Sequence, residues 1–575
     1  MAVNLSPGVT VTEIDLTTTV TQASSSTGAI AIDADWGPVG EIITTTNEDD
    51  IVNFFGSPNN NNYVDFFSAA SFLAYTSDLR VVRAANTGSL NARANTSTSN
   101  IQVKNEADYE YRYLDSDAEN ALGSIIAKYP GTLGNGLTVE FFDSTDDEKF
   151  KEWTYSSYFS DVPGTSNYTK KKGGSNDEFH MVVVDGSGKI TGTRNTVINS
   201  YGFVSKAKDA IDDQGDSIYW KNVLLQKDNY VYGVSSPDYE NTKATWGMEA
   251  YNTTFARTTE AVTKVTLAGG TYVKPDDSDY MKAYGLFNDV DNVDVSLMLT
   301  SNRNNTVVQY IIDNICTEVG SEVGRNGTTM CFVSPPKDSV LFADGVEATN
   351  IQEWLNTLAR TTTYCVCDCN WKYMYDKYNK MYRWIPCSSD VAGLCAYTDK
   401  IRNPWWSPAG LNRGKIKNAV KLAWNPNKTN RDIIYPLGVN PIFSMTGEGI
   451  VLYGDKTLTR KPSAFDRINV RRLFIVLEKS ISNSAKYSLF EFNDEQTRAS
   501  FVATIEPFLR NVKSLRGIYD FKVVCDSSNN TPYVIDNNQF VGDIYIKPSR
   551  SINWINLSFI AVGSSVTFEE AVGMK

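Results

Sequence analysis

Histidine is almost absent from this chain: 575 residues contain one, His180. One imidazole excludes any metal site or acid–base pair built from histidines, and a lone one on a strand pattern ("DEFHMVVVD") is more often a packing or surface residue than a general base. Eight cysteines in so long a chain make no disulfide framework. Their one dense group, Cys365, Cys367 and Cys369 in "TTYCVCDCNW", repeats at period two with no further cysteine pair or histidine beside it. A buried, reduced strand is therefore favoured over a metal centre. No stretch approaches the ~18 uncharged apolar residues of a membrane span, and the start lacks a basic segment followed by an apolar one. Folding in a cytoplasm is the expectation.

Catalytic motifs are equally scarce. "GLNRGKI" resembles a phosphate loop, but Gly410 and Gly414 stand too close and Ile416 replaces the hydroxyl residue. "DGSGK" lacks the upstream glycine. Asp289, Asp291 and Asp294 in "FNDVDNVDVS" lack the glycine that turns a calcium loop. There is no G-x-S-x-G. Carboxylate pairs are too many to dismiss, which leaves a glycan-acting enzyme as a remote alternative. The residues point away from an enzyme, and to no cofactor.

What is present is ordinary in amount and uneven in placement. The chain is 41% hydrophobic and 21% charged, a normal folded composition, and its length suggests roughly four domains. Residues 401–575 hold 23 Lys+Arg against 15 Asp+Glu, whereas residues 1–400 hold 31 against 52. A basic end on an acidic chain implies that the two parts face different surroundings, nucleic acid or an acidic protein surface being candidates for the basic one.

"GAIAIDADWGPVGE" reads as a short buried strand, "TNEDDIVNFFGSP" as a capped helix stopped by Gly56 and Pro58, "YVDFFSAASFLAYTS" as a second helix and "LRVVRA" as a second strand. This α/β texture breaks off at "NTGSLNARANTSTSN" and resumes with the helix "NIQEWLNTLART" and the strand "TYCVCDC". The predicted fold class is α/β (α+β) and multidomain: a split mixed α/β core with two β-rich inserted domains and extended terminal strand arms. The expected borders are 1–20 for the N-terminal arm, 21–95 for the first part of the core, 96–190 and 191–345 for the insertions, 346–550 for the second part of the core, and 551–575 for the C-terminal strand and arm.

Three stretches carry a family likeness: "SPGVTVTEID" near the start, "AKYPGTLGNGL" at 127–137, and an ordered C-terminal set. That set comprises "DVAGLCAYTD", "NPWWSPAGLNRG", "KPSAFDRINVRRLFIVLEK", "FEFNDEQTRASF", "RGIYDFKVVCD" and "FVGDIYIKPSRSINWINLSF". Together they resemble the tail sheath proteins of T-even-type contractile-tailed bacteriophages. The resemblance implies a structural virion protein assembled in the host cytoplasm, forming homo-hexameric rings stacked helically around a tail tube. The metastable extended sheath contracts on a baseplate trigger and drives the tube through the bacterial envelope for genome delivery. Implied partners are further copies of the chain, the tail tube protein, and the baseplate and tail terminator proteins, with no direct nucleic-acid contact and no membrane insertion. The sheath of a related contractile injection system, such as a tailocin, is the alternative.

The resemblance also implies that both arms add strands to sheets on neighbouring copies. Val9, Val11, Ile14 and Leu16 would come from the N-terminal arm, and Ile555, Leu557, Phe559, Val566 and Phe568 from the C-terminal one. In the family the core lies inward against the tube, which makes Arg510, Lys513, Arg516, Arg467, Arg471 and Arg472 tube-facing candidates. The competing reading is that these cations serve helix ends or pair with acids inside the core. A helix is expected from an Asn493–Gln496 capping box onward, with Phe501, Ile505, Phe508 and Val512 as its buried stripe and Pro507 inside it.

Overall fold

The computed structural model describes residues 20, 22–94, 101–114, 123–317, 325 and 327–553. It falls into two compact units, one made of Ala23–Arg402 and Pro408–Ile468, the other of Asn403–Ser407 with the residues on either side of the first unit.

In the first unit the run GAIAID forms β1 (Gly28–Asp33), buried at every position. It is followed by β2 (Ile42–Thr45) and by α1 (Glu48–Phe55), where Asn47 caps the amide of Asp50 and three acids fill the first turn. Gly56, at φ 82°, ends that helix. Then come α2 (Tyr63–Leu73) and β3 (Leu79–Ala84). Gly28 is required by packing, since a Cβ there would lie 2.5 Å from the Phe72 ring. The chain then builds an antiparallel sheet from β4 (Leu137–Phe142), β5 (Glu178–Asp185), β6 (Thr196–Ser205) and β7 (Val262–Thr266), ordered β6-β5-β4-β7.

The main sheet resumes with β8 (Leu297–Leu299), β9 (Met330–Val333), α3 (Glu347–Leu358), β10 (Cys365–Asp368), α4 (Ser388–Ile401) and β11 (Val439–Asn440). Its seven strands run in the order β11-β10-β9-β8-β1-β3-β2. Every pairing is parallel except β2 with β3. Parallel strands need both faces covered, which is why they read as short unbroken apolar runs.

Two expected borders move. Position 190 falls inside the β5–β6 hairpin, which pairs Asp185 with Thr196, so it divides no domain. β8 and β9, expected within the second insertion, are central strands of the main sheet, β8 lying beside β1 with Gly28 opposite Leu297. Both are too short for periodicity to reveal, and their partners are distant in sequence.

All eight cysteines are free and buried. Cys365 and Cys367 lie on β10 and Cys369 just beyond it, as a reduced core strand requires. His180 on β5 is also buried. Its Nε2 donates to the Asp161 carbonyl (2.8 Å), its Nδ1 accepts the Phe203 amide (3.1 Å), and its ring stacks on Phe159 at 4.3 Å. Burial pushes its pKa down, so it is a neutral packing residue. Among the described residues no helix is long and apolar enough to cross a membrane, and no group of three or more His, Cys, Asp or Glu is placed to hold a metal.

Candidate assembly interface

The second unit is small and has its own core. It contains α5 (Ile468–Ala485), α6 (Glu495–Ser514), β12 (Ile518–Val524) and β13 (Asp543–Pro548). Leu473 and Leu477 of α5 meet Ile505, Phe508, Leu509 and Val512 of α6, together with Trp405 and Ile518. Each such side chain contributes about 1.5–3 kcal/mol on leaving water. The expected stripe therefore holds at Ile505, Phe508 and Val512, with Phe501 half-buried at its margin and Pro507 inside the helix.

The cap does not sit where the sequence suggests. Asp494, not Asn493, accepts the amide three residues on, that of Thr497 (2.7 Å). Asn493 is used elsewhere: its Nδ2 donates to the Gln539 carbonyl (2.8 Å), and its Oδ1 accepts from Arg498 (2.8 Å). Both residues are plausible caps by chemistry; a tertiary contact made the choice.

β12 and β13 form a two-stranded antiparallel ribbon with a bulge between Ile518 and Asp520. Phe521, Val523, Ile544 and Ile546 pack on the helices, while Tyr519, Lys522, Tyr545 and Lys547 face water. Among the described residues no further strand pairs with either edge. A ribbon that carries no third strand among the described residues is a template for added strands. The nine arm residues, Val9, Val11, Ile14, Leu16, Ile555, Leu557, Phe559, Val566 and Phe568, lie outside the described residues. Val20, the last residue of the expected N-terminal arm, packs on this unit's core.

The six basic candidates separate sharply. Arg471 and Arg472, 4% and 2% exposed, lie in the first turns of α5 and present no surface to a partner. Arg467, in the first unit, is held by Asp455 (3.1 Å) and the Tyr435 hydroxyl (2.8 Å); these contacts and Asp466 outweigh burial and hold its pKa up. Arg471 and Arg472 are corrections to the tube-facing set, buried as the competing reading of cations satisfied within the fold requires, while Arg467 is partly exposed and engaged by its acids. Arg510, Lys513 and Arg516 are exposed. Arg510 meets Glu506 at 2.8 Å, Lys513 meets Asp520 at 2.9 Å, and Arg516 lies over the Trp406 ring. Exposed pairs of this kind hold weakly and exchange readily.

The basic end is also narrower than it first reads. Residues 401–468 carry 11 Lys+Arg against 4 Asp+Glu, whereas residues 469–575 carry 12 against 11. The second unit is nearly neutral.

Comparison with known proteins bears on the whole chain. Residues 339–458 match the phage tail sheath protein central domain and residues 460–561 the phage tail sheath C-terminal domain. The tail sheath protein of Enterobacteria phage T4 is 32% identical over 99% of this chain and 99% of its own. That of Vibrio phage KVP40 is 30% identical over 99% of this chain and 100% of its own. The chain belongs to the phage tail sheath family.

Solved sheath structures share the fold at low identity. A sheath tail protein from Listeria innocua superposes with a TM-score of 0.52 at 11% identity, covering 92% of this chain and 96% of that one. The PVC sheath of an extracellular contractile injection system, in its contracted state, gives 0.50 at 13%, covering 97% and 98%.

Within this sheath chain the motif "AKYPGTLGNGL" is a clamp whose partners the sequence does not reveal. Arg83, buried at the end of β3, donates to the carbonyls of Ala34 (2.9 Å), Gly37 (2.7 Å) and Pro130 (2.7 Å). Burial lowers its pKa to about 10 while Asp35 and Asp33 favour its charge. Asp35 receives the Thr132 amide (2.9 Å) and hydroxyl (2.5 Å). Asn135 exchanges two hydrogen bonds of 2.8 Å with Gly270, where the chain returns from the inserted sheet. Gly131, at φ 142°, has no alternative, because a Cβ there would lie 2.0 Å from the Asp35 carbonyl oxygen. Arg83, the second of two arginines in the strand "LRVVRA" and the one placed among its buried residues, was the available signal.

Proposed function

We propose that this chain is the repeating structural subunit of a contractile tail sheath, assembled as six-membered rings stacked helically around a tail tube, with the baseplate at one end and a terminator at the other. Kinship to tail sheath proteins over essentially the full chain carries the reading. The ribbon β12–β13, two-stranded among the described residues, supports the way copies are linked: arms of neighbouring copies add strands to its edges, so backbone hydrogen bonds join the copies while each core stays intact. Contraction then needs no hydrolysed substrate, since two packings of one sequence differ in free energy and a trigger releases the higher. Virion location and assembly in the host cytoplasm belong to the same proposal.

Electron microscopy of purified protein tests it. Hollow tubes are expected with or without a tail tube as core. Discrete monomers at every protein and salt concentration overturn the reading.

A further inference from the structure

Between α5 and α6 the second unit pushes four large apolar side chains into water: Tyr487 (88% exposed), Leu489, Phe490 and Phe492 (85%). Phe490 is fully exposed, and its backbone sits at φ 70°, a left-handed conformation that costs a non-glycine residue energy. Such outliers gather at active sites, ligand clamps and switch regions. Three aromatics at ~150–250 Å² each, with a leucine, make an apolar projection of roughly 500 Å². That is at or beyond the largest patches of an ordinary monomer.

The charge around this projection is not random. Exposed Glu491, Asp494 and Glu495 surround it, and Asp536 is exposed on the segment to which Asn493 is bonded, with Lys486 and Arg498 as the nearby bases. At the other end of α6, about 30 Å away for a 20-residue helix, the signs reverse. Arg510, Lys513, Arg516 and Lys547 are exposed there, with Glu506 and Asp520 as the acids, and Leu515 and Tyr519 supply exposed apolar surface. The unit is near neutral in sum and polarised in place. Its two ends are complementary in sign and both partly apolar, and a stiff helix keeps them from meeting within one copy.

We infer that the acidic, aromatic loop 487–492 docks on the basic end of α6 in a second copy of this chain, head to tail. Heterologous contacts of this kind close into rings or run on as helices. The inference rests on the sheath reading, and adds to the strand arms a side-chain contact that sets which copy lies beside which. The local pairs Arg510–Glu506 and Lys513–Asp520 are surface pairs, free to exchange for the incoming acids.

The test uses the full chain alone, with no tail tube present, and reads the protein concentration at which tubes appear by sedimentation and negative-stain microscopy. Phe490→Ser with Phe492→Ser is expected to raise that concentration at least about tenfold, as loss of an apolar anchor does, with the monomer's thermal melt unchanged. Glu491→Lys with Asp536→Lys, and separately Arg510→Glu with Arg516→Glu, are expected to do the same. All four charge reversals in one chain are expected to restore assembly. If the wild type assembles and the aromatic variant assembles equally well, the inference is overturned while the sheath reading stands. It is overturned too if the charge swap fails to rescue, or if the variants assemble alone and lose only binding to a tail tube, which would make the tube the occupant. A wild type that never assembles removes the sheath reading itself.

Discussion

Arg83→Met is the sharpest perturbation of the fold's organisation. The guanidinium is 1% exposed and makes three short bonds to carbonyls, two at the exit of β1 and one in the YPGT turn that opens the inserted region. Methionine fills similar volume and donates nothing. Each buried carbonyl stripped of its donor costs about 1–3 kcal/mol. Against this stands relief from burying a cation, a strain visible in the pKa lowered to about 10. Breaking one side of a buried charged network usually leaves a net loss of about 3–5 kcal/mol, and the lower figure suits a site whose acceptors are neutral. About 3 kcal/mol corresponds to a roughly hundredfold larger population of a state with the inserted region detached. Limited proteolysis read by mass spectrometry checks it: cleavage should accelerate in residues 86–136 and 266–296, while β10 and α4 stay protected. Arg83→Lys should recover part of the loss, because one ammonium cannot span all three carbonyls. Unchanged cleavage and melting in Arg83→Met would refute the clamp.

Three further outcomes are expected. Removing residues 1–16 should leave a folded monomer by circular dichroism and thermal melting but abolish tubes in micrographs, and a single proline at Val11 should mimic it if that amide faces a ladder; normal tubes would make the arm dispensable. Gly393→Ala should destabilise the first unit by about 1–3 kcal/mol, since its Cβ would meet the Tyr75 ring at 2.4 Å; the melting temperature of the monomer reads this, and Gly393→Ser should be worse. His180 has a native pKa below its ordinary 6.5, so the native state binds fewer protons than the unfolded one. Its contribution is full above pH 6.5 and falls as pH drops through the depressed native value; urea melts of wild type against His180→Gln should differ in slope only on that acid limb.

Local order was legible wherever local chemistry decided it. β1, α1, α2, β3, α3 and β10 stand where caps, apolar spacing and Gly–Pro stops put them. Illegible were features fixed by distant partners. β8 and β9, three and four residues long, gain their identity from β1 and β10. Asn493 lost the cap to Asp494 because residues 530 and 539 claimed its side chain. Of the basic residues, Arg510, Lys513 and Arg516 lie on the solvent side of the C-terminal end of α6 and beyond it and stay exposed, although Leu509 and Val512 beside them are buried, whereas Arg471 and Arg472 lie in the first turns of α5 beside the buried Ile468, Val470 and Leu473. Count alone could not separate them; burial on a face does. The clamp was legible in part, as a motif with glycines at 131 and 134, but its meaning lay in Arg83 and Asp35, far upstream.

The charge map narrows how such an assembly is held. A surplus of cations lies in residues 401–468, and residues 469–575 are balanced. A balanced but polarised unit attracts copies of itself in one orientation and repels the reversed one, which a uniformly basic unit cannot do. Screening with a Debye length of about 10 Å at 0.1 M salt weakens such contacts without touching the buried cores or a backbone ladder between arms. Rising salt should therefore loosen side-chain docking before it unlinks strands. Tubes at moderate salt should change in diameter or pitch while remaining connected, and only loss of the arms should disperse them into monomers. Dispersal of wild-type tubes by salt alone, with arms intact, would show that strand exchange does not join the copies.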